Sequence, residues 1–109
     1  MNRGEIWTAS AGAGYAGKPR PVVIVQDDRF GGTASITLCA FTTDATEAPL
    51  FRLRIEPSET NGLREPSSIM VDKVTTVSRD KLGKRIGRLA DEDVVRLNRA
   101  LMLFLGLAG

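Results

Sequence analysis

The sequence predicts a mainly β domain that ends in one α-helix. Short runs rich in β-branched and aromatic residues, bounded by glycine, proline or asparagine, recur up to residue 77, and the apolar spacing becomes helical after residue 90. A chain of 109 residues supports one hydrophobic core, so we expect a single domain over residues 1–109. These observations favour a small β-barrel or sandwich with a C-terminal helix.

Five strands are predicted from the spacing of apolar residues. They are residues 5–10 (EIWTAS), 21–26 (PVVIVQ), 35–43 (SITLCAFTT), 47–57 (EAPLFRLRIEP) and 67–77 (SSIMVDKVTTV). The second run is continuously β-branched, which is typical of a strand buried on both faces or of a strongly hydrophobic barrel strand. The fourth alternates, with Phe51, Leu53 and Ile55 on one face and charged residues on the other. Residues 27–34 and 59–66 are predicted turns, and the glycine-rich residues 11–18 a flexible loop.

One helix is predicted after residue 90, in the segment DEDVVRLNRALMLFLG. Val94, Leu97, Leu101 and Leu105 recur at helical spacing, so we expect them to pack against the β core. Three acidic residues in the first turn complement the helix dipole, and Gly106 is the predicted stop. The preceding segment 79–88 holds five basic residues and one acid, and is interpreted as a solvated face.

Composition excludes several classes of function. The chain has no histidine, so histidine-based nuclease, protease and metal mechanisms are excluded. Its single cysteine, Cys39, cannot form an internal disulfide and is predicted to be a buried, unreactive thiol. No apolar run approaches the ~20 residues of a membrane span, and MNRGEIW does not resemble a signal peptide, so we expect a cytoplasmic protein. Eleven arginines against four lysines are compatible with phosphate recognition but do not establish it.

Five segments, in order along the whole chain, carry a resemblance to a known family. They are RGEIW (3–7), RPVVIVQDD (20–28), SITLCAFTT (35–43), GLREPSSIMVDKV (62–74) and KLGKRIGRLADEDVVRLNRAL (81–101). Each motif alone is weak, but the ordered set resembles the MazF/PemK family of toxin endoribonucleases from bacterial toxin–antitoxin pairs. The resemblance implies a CcdB/MazF-type fold, an SH3-like β-barrel with a C-terminal helix, assembled as a homodimer.

The resemblance also implies an activity and its residues. Family enzymes cleave single-stranded RNA at short sequences without a metal or other cofactor, using the RNA 2′-OH as nucleophile, and a cognate antitoxin silences them. The family's catalytic arginine corresponds to Arg20, and its catalytic hydroxyl to Thr42, with Thr43 as the neighbouring alternative. The loop before Arg20 lacks the acidic residue that relatives often carry, so the general base stays unassigned.

The chemistry suits a protein without histidine, because RNA carries its own nucleophile. The enzyme has to align the 2′-OH and stabilise charge on the phosphorane. Arg20 can supply a bidentate cation and Thr42 a hydroxyl donor. Prolines on both sides restrict the backbone of Arg20, which is expected to hold it ready for phosphate. An arginine at a strand edge also serves as an ordinary salt-bridge former, and threonine is common in strands without any function.

Further RNA-binding residues are predicted less directly. The candidates are Tyr15, Lys18, Gln26, Thr43, Lys73 and Arg85. Tyr15 has no evident core role in its glycine-rich loop and is the candidate for base stacking. Gln26 is either a reader of a base edge or a surface hydrogen bonder, and Lys73 stands where relatives often carry glutamine. Trp7 is interpreted as a core or dimer contact, and Asp27 and Asp28 as turn residues rather than a metal pair.

Two other functions remain open at the level of sequence. A CcdB-like poison binds DNA gyrase through an aromatic and acidic C-terminal tail, which the ending LFLGLAG lacks. An RNA-binding module that has lost catalysis would not need both Arg20 and Thr42. Fold likeness alone does not separate these functions from an endoribonuclease.

Overall fold

A six-stranded antiparallel sheet and one C-terminal helix make up the computed structural model, which describes residues 1–10 and 18–108. The elements are β1 (Glu5–Ser10), β2 (Pro19–Ile24), β3 (Ser35–Thr42), β4 (Arg52–Ile55), β5 (Ser67–Ser78), β6 (Leu82–Arg88) and α1 (Asp91–Phe104). The strand order across the sheet is β4-β5-β3-β2-β1-β6. The predicted fold class, mainly β with a C-terminal helix, is therefore confirmed.

Strand β6 is the element that the sequence analysis missed. Its sequence, LGKRIGR, has two glycines and three basic residues, which lowers β propensity and hides any alternation. The segment is a strand because it pairs antiparallel with the open edge of β1, with register shifts beside Trp7. The interpretation of residues 79–88 as merely a solvated face was thus incomplete, since the pairing depends on a strand nearly eighty residues earlier in the chain.

One face of the sheet packs against α1 and forms the main core. Its buried members include Ile6, Val23, Cys39, Phe41, Leu53, Ile55, Ile69, Val71 and Leu89 from the β part and Leu97, Ala100 and Leu101 from α1. Burial of Cys39 raises the pKa of its thiol to about 12, so the thiol stays protonated and unreactive at neutral pH.

The helix begins and ends close to the predicted positions. Leu97 and Leu101 are buried and Val94 packs at the border of the core, but Leu105 is 55% exposed, so its predicted packing is wrong. The regular helix ends at Phe104, Leu105 is its C-cap, and Gly106 follows with φ of +76°. Among the described residues, no helix is long and apolar enough to cross a membrane.

The opposite face of the sheet carries a second, smaller apolar cluster. Ala9, Val22 and Leu38 are buried there, and Trp7 packs against them. The indole Nε1 of Trp7 donates a hydrogen bond to Glu5 Oε1 at 3.0 Å, so the residue is a border residue of this cluster. Because Val22 and Val23 face opposite clusters, the continuous β-branched run in β2 is buried on both faces, the first of the two alternatives predicted for it.

A turn after β4 brings the two edges of the sheet together. The side chain of Asn61 is buried and accepts hydrogen bonds from the backbone N–H groups of Ser58 and Leu63. The backbone N–H of Arg88, at the end of β6, donates to Thr60 O at 2.9 Å. The sheet is not closed by strand pairing, but this contact between its edges gives it a barrel-like form.

Glycine is required at position 62 by two separate constraints. Gly62 has φ of +70°, and a Cβ there would lie 2.1 Å from the carbonyl oxygen of Ile86. Gly106 has a similar φ of +76° with no atom within 4 Å of such a Cβ, and Gly32 has an open environment. Substitutions at the three positions therefore distinguish the effect of backbone strain from the effect of steric overlap.

We predict that Gly62→Ala lowers the free energy of unfolding by more than about 2 kcal/mol, because strain and overlap with the β6 backbone add. Gly106→Ala should lower the free energy of unfolding by about 1 kcal/mol, because only the left-handed conformation is unfavourable there. Gly32→Ala should change it by less than about 0.5 kcal/mol. Denaturant unfolding at one protein concentration measures all three. Equal losses for Gly62→Ala and Gly106→Ala would show that the edge contact does not constrain the fold.

Candidate active-site groove

A groove of about 440 Å³ lies on the sheet face opposite α1, over β2, β3 and β5. We call it the main groove. Its floor is the smaller apolar cluster, Ala9, Val22 and Leu38. Its polar lining consists of Ser10, Arg20, Thr42, Asp44, Arg52, Lys73 and Thr75. Three residues selected from the sequence, Arg20, Thr42 and Lys73, therefore line one groove.

Strand register brings Arg20 and Thr42 together. Val22 of β2 pairs with Ala40 of β3, and the strands run antiparallel. Arg20 and Thr42 each lie two residues beyond this pair, on the same face of their strands as Val22 and Ala40. Both line the main groove, so the guanidinium and the hydroxyl border the same space.

The hydroxyl of Thr42 is oriented by the loop that follows β3. The backbone N–H of Asp44 donates to Thr42 Oγ1 at 3.1 Å, which occupies one lone pair and leaves the hydroxyl hydrogen to donate to a ligand. Asp44 Oδ1 in turn accepts from the hydroxyl of Thr46 at 2.9 Å and from its backbone N–H at 3.1 Å. These two bonds hold the pKa of Asp44 below its ordinary value. Thr43 is exposed and does not line the groove.

Arg52 and Asp72 form an ion pair beside the groove that sequence analysis missed. Arg52 Nε donates to Asp72 Oδ1 at 2.8 Å, and Nη2 donates to Oδ2 at 3.2 Å. The bonds from Arg52 hold the pKa of Asp72 below its ordinary value, and the same contact raises the pKa of Arg52. The alternation of β4 put Arg52 on the polar face, but only the pairing of β4 with β5 shows which acid it meets.

A second groove, of about 490 Å³, adjoins the main groove at Arg52. We call it the side groove. It is lined by Ala45, Thr46, Glu47, Pro49, Arg52, Arg54 and Ser68. Among the described lining residues, Arg52 is the one shared by both grooves, and the loop after Thr42 contributes residues to each.

Other predicted RNA-binding residues lie away from the main groove or beside it. Lys18 is exposed and directly precedes β2, and Tyr15 lies outside the described residues. Both polar atoms of the Gln26 amide have partners: Nε2 donates to Phe30 O at 2.9 Å and Oε1 accepts from the Thr37 backbone N–H at 2.8 Å. Gln26 therefore ties the 27–34 turn to β3, which matches its interpretation as a hydrogen bonder.

Arg85 lies on β6, opposite Trp7 and two strands away from β2. Its Nε lies 3.5 Å from Glu5 Oε2, in a half-exposed ion pair, and the residue does not line the main groove. Asp27 accepts a hydrogen bond from the Arg29 backbone N–H, and Asp28 accepts one from that of Arg3. Asp27 therefore stabilises the turn, as predicted, and Asp28 links the turn to the segment before β1. Across the described part of the chain, no group of three or more acidic or cysteine side chains is placed to hold a metal ion.

Comparison with known proteins identifies the family. A profile describing PemK-like, MazF-like toxins of type II toxin–antitoxin systems matches residues 2–105. The chain belongs to this family. It is 60% identical over 109 residues, the full length of both chains, to a protein of Mycolicibacterium smegmatis named probable endoribonuclease MazF. It is 28% identical, over 98% of each chain, to endoribonuclease MazF9 of Mycobacterium tuberculosis.

Solved structures of PemK/MazF toxins share the fold. A mycobacterial endoribonuclease in complex with its cognate antitoxin superimposes with a TM-score of 0.83, at 24% identity, over 100% of this chain and 98% of that one. A MazE–MazF structure from Deinococcus radiodurans gives a TM-score of 0.78 at 15% identity, over 99% and 97% of the two chains. At these identities the likeness establishes the MazF-like fold.

The ion pair beside the groove leads to a prediction about titration. In Arg52→Gln, the pKa of Asp72 should rise, because the largest cause of its lowering is removed while burial, which raises it, remains. Since the folded-state pKa is lowered in the wild type, the stabilisation from the pair is present at neutral pH and is lost as the pH falls through that pKa. A carboxyl NMR titration measures the change, with Arg29→Gln as control. An unchanged Asp72 titration in Arg52→Gln would contradict the assigned pair.

Proposed function

We propose that this protein is the toxin of a toxin–antitoxin pair, a sequence-specific endoribonuclease that cleaves single-stranded RNA without a metal ion. The observation that carries the proposal is that Arg20 and Thr42, from neighbouring strands, line the same groove. The 60% identical relative named probable endoribonuclease MazF supports the same activity. The apolar floor and cationic rim of the groove suit a flexible strand with stacked bases and charged phosphates.

In the proposed reaction the RNA supplies its own nucleophile. The 2′-oxygen attacks the adjacent phosphorus, the bond from phosphorus to the 5′-oxygen breaks, and the proton lost by the 2′-OH is balanced by one gained at the departing 5′-oxygen. The products are a 2′,3′-cyclic phosphate and a 5′-OH. Negative charge grows on the non-bridging oxygens, where Arg20 binds as a fork and Thr42 donates its hydroxyl hydrogen.

Preorganisation explains why the arginine lies between two prolines. Pro19 pairs with Ser10 and Pro21 with Thr8 in the β1–β2 ladder, so the backbone of Arg20 is held on both sides by rings of fixed φ and by a neighbouring strand. A donor fixed before charge develops needs little rearrangement in the transition state, and each such donor contributes roughly 10²–10³ in rate. Arginine also stays charged throughout, so we assign Arg20 to charge stabilisation rather than to proton abstraction.

The proposal includes two protein partners. The cognate antitoxin is expected to cover the groove with an acidic and hydrophobic segment that folds on binding, which would block access to Arg20. The mycobacterial structural relative determined with its cognate antitoxin supports this kind of partner. A second copy of the chain is expected as a homodimer partner, and the exposed apolar side chains of Leu103, Phe104 and Leu107 at the end of α1 support a protein contact there.

Cleavage of a long single-stranded RNA in EDTA tests the proposal. The wild type should cut at one short sequence and leave 5′-OH ends, and Arg20→Ala should lower the single-turnover rate by roughly 10²–10³. Arg20→Lys should recover only part of the rate, because it keeps the charge but loses the fork. Arg99→Ala, an exposed arginine on α1, is the matched control and should cut like the wild type.

The alternatives give different outcomes in the same assay. If the folded wild type binds RNA but does not cut it, the protein is an RNA-binding module and not an endoribonuclease. A wild type that neither binds nor cuts RNA, and instead binds DNA gyrase, would indicate a CcdB-like poison.

A hydroxyl comparison separates the two neighbouring threonines. We predict that Thr42→Val lowers the cleavage rate by roughly 10²-fold, because it removes the donor while keeping the side-chain shape. Thr43→Val should leave the rate within twofold, since Thr43 does not line the main groove, and Thr42→Ser should restore most of the activity. Loss of activity in Thr43→Val alone would assign the catalytic hydroxyl to residue 43 instead.

A further inference from the structure

We propose that Arg52, held in place by Asp72, binds a backbone phosphate of the RNA at the junction between the main groove and the side groove. The inference rests on the proposed function and extends it, because it gives the strand a path beyond the scissile phosphate. It also makes Arg52 a binding residue for the nucleotide next to the cut. Neither residue was selected from the sequence for any role.

The position of Arg52 between the two grooves supports the inference. Arg52 lines both grooves, whereas Arg20 and Thr42 line the main groove and Arg54 lines the side groove. The loop after β3 contributes Asp44 to the main groove and Thr46 and Glu47 to the side groove. The two grooves are therefore bordered by the same loop as well as by Arg52. An RNA strand that has its scissile phosphate at Arg20 and Thr42 and continues along this loop passes Arg52.

The charges of the main groove also support the inference. Among the described residues, Arg20, Arg52 and Lys73 line this groove together with one carboxylate, Asp44, and Asp72 pairs with Arg52 beside it. Cations therefore outnumber carboxylates by one in and beside the main groove. A polyanion bound there gains from this excess more than a neutral ligand does.

The Arg52 guanidinium is held in a way that leaves part of it able to bind phosphate. Asp72 accepts from Nε and Nη2, and no hydrogen bond within the described residues uses Nη1. The Arg52 Cζ atom also lies 5.8 Å from the centroid of the Phe51 ring, and Phe51 packs on Phe104 with centroids 6.3 Å apart. A planar fork fixed on two sides loses little conformational entropy when it binds phosphate.

Arg29 provides a control with the same local chemistry in another place. It also pairs with an aspartate, Asp27, at 3.0 Å, and its Cζ also lies 5.8 Å from the centroid of a phenylalanine ring, that of Phe30. The Arg29 pair differs in being far more exposed, with 81% and 50% of the side-chain surfaces accessible against 15% and 20% for Arg52 and Asp72. Arg29 lines neither groove.

The test uses variants that keep the net charge. Arg52→Gln/Asp72→Asn and the control Arg29→Gln/Asp27→Asn each remove one positive and one negative charge, so a difference between them reports a lost contact. The probe is an RNA oligonucleotide containing the mapped cut site with a 2′-deoxy nucleotide at the cut, which removes the nucleophile. Fluorescence anisotropy gives Kd, and circular dichroism and thermal unfolding check the fold.

We expect the Arg52/Asp72 double variant to bind roughly 10- to 100-fold more weakly, the value of one charge-assisted contact, and the control to stay within twofold of the wild type. Oligonucleotides shortened on either side of the cut then locate the contact. Shortening the RNA on the side that contacts Arg52 should weaken binding by the wild type by the same factor. It should leave the affinity of the double variant unchanged. If the double variant does not fold, Arg52→Lys replaces it, because lysine keeps the charge opposite Asp72 but not the fork.

Three results would overturn the inference while leaving the proposed function intact, provided that the wild type still cuts RNA. The first is wild-type affinity in the folded Arg52 variant, and the second is an equal loss in the Arg29 control. The third is a loss that does not depend on the length of the RNA on either side. A wild type that neither binds nor cuts RNA would instead reject the proposed function together with this inference.

Discussion

Side-chain alternation along the two central strands is the constraint on which the rest of this structure depends. In β2 and β3, consecutive residues face opposite sides of the sheet, and both sides are buried: Val23 and Cys39 face α1, while Val22 and Leu38 form the floor of the main groove. A shift of either strand by one residue would exchange the two sets and remove Arg20 and Thr42 from the groove. The packing that stabilises the sheet thus also places the candidate catalytic pair.

The barrel-like form depends on how the two edges of the sheet meet. Strands β4 and β6 do not pair with each other, but the turn containing Asn61 and Gly62 lies against the backbone of β6 and brings the edges together. This curvature carries β4, and Arg52 with it, round to the margin of the groove formed by strands nearer the centre of the sheet. Electrostatics then complete the arrangement, because Asp72 holds the Arg52 guanidinium with two hydrogen bonds.

The elements with a strong local signal were predictable, and the ones that depend on a distant partner were not. β2 and β3 are β-branched runs whose burial the sequence indicates by itself, and α1 has clear helical spacing. β6 has glycines and basic residues instead of an alternating pattern, so only its pairing with β1 makes it a strand. Leu105 continues the apolar spacing of α1 by one more turn, yet it is exposed, and it lies at the C-cap, where the regular helix has ended.

For the site, the sequence by itself determined which residue types are available: an arginine between prolines, a threonine near the end of a strand, and no histidine. It also determined that Arg20 enters a strand with little backbone freedom, since proline restricts φ regardless of the surroundings. Only the tertiary structure decided that Arg20 and Thr42 line one groove, that Arg52 meets Asp72, and that Gln26 links the 27–34 turn to β3. Local patterns encode the face and conformation of a residue, but contacts between strands depend on register and curvature, and these are set by the packing of the whole sheet.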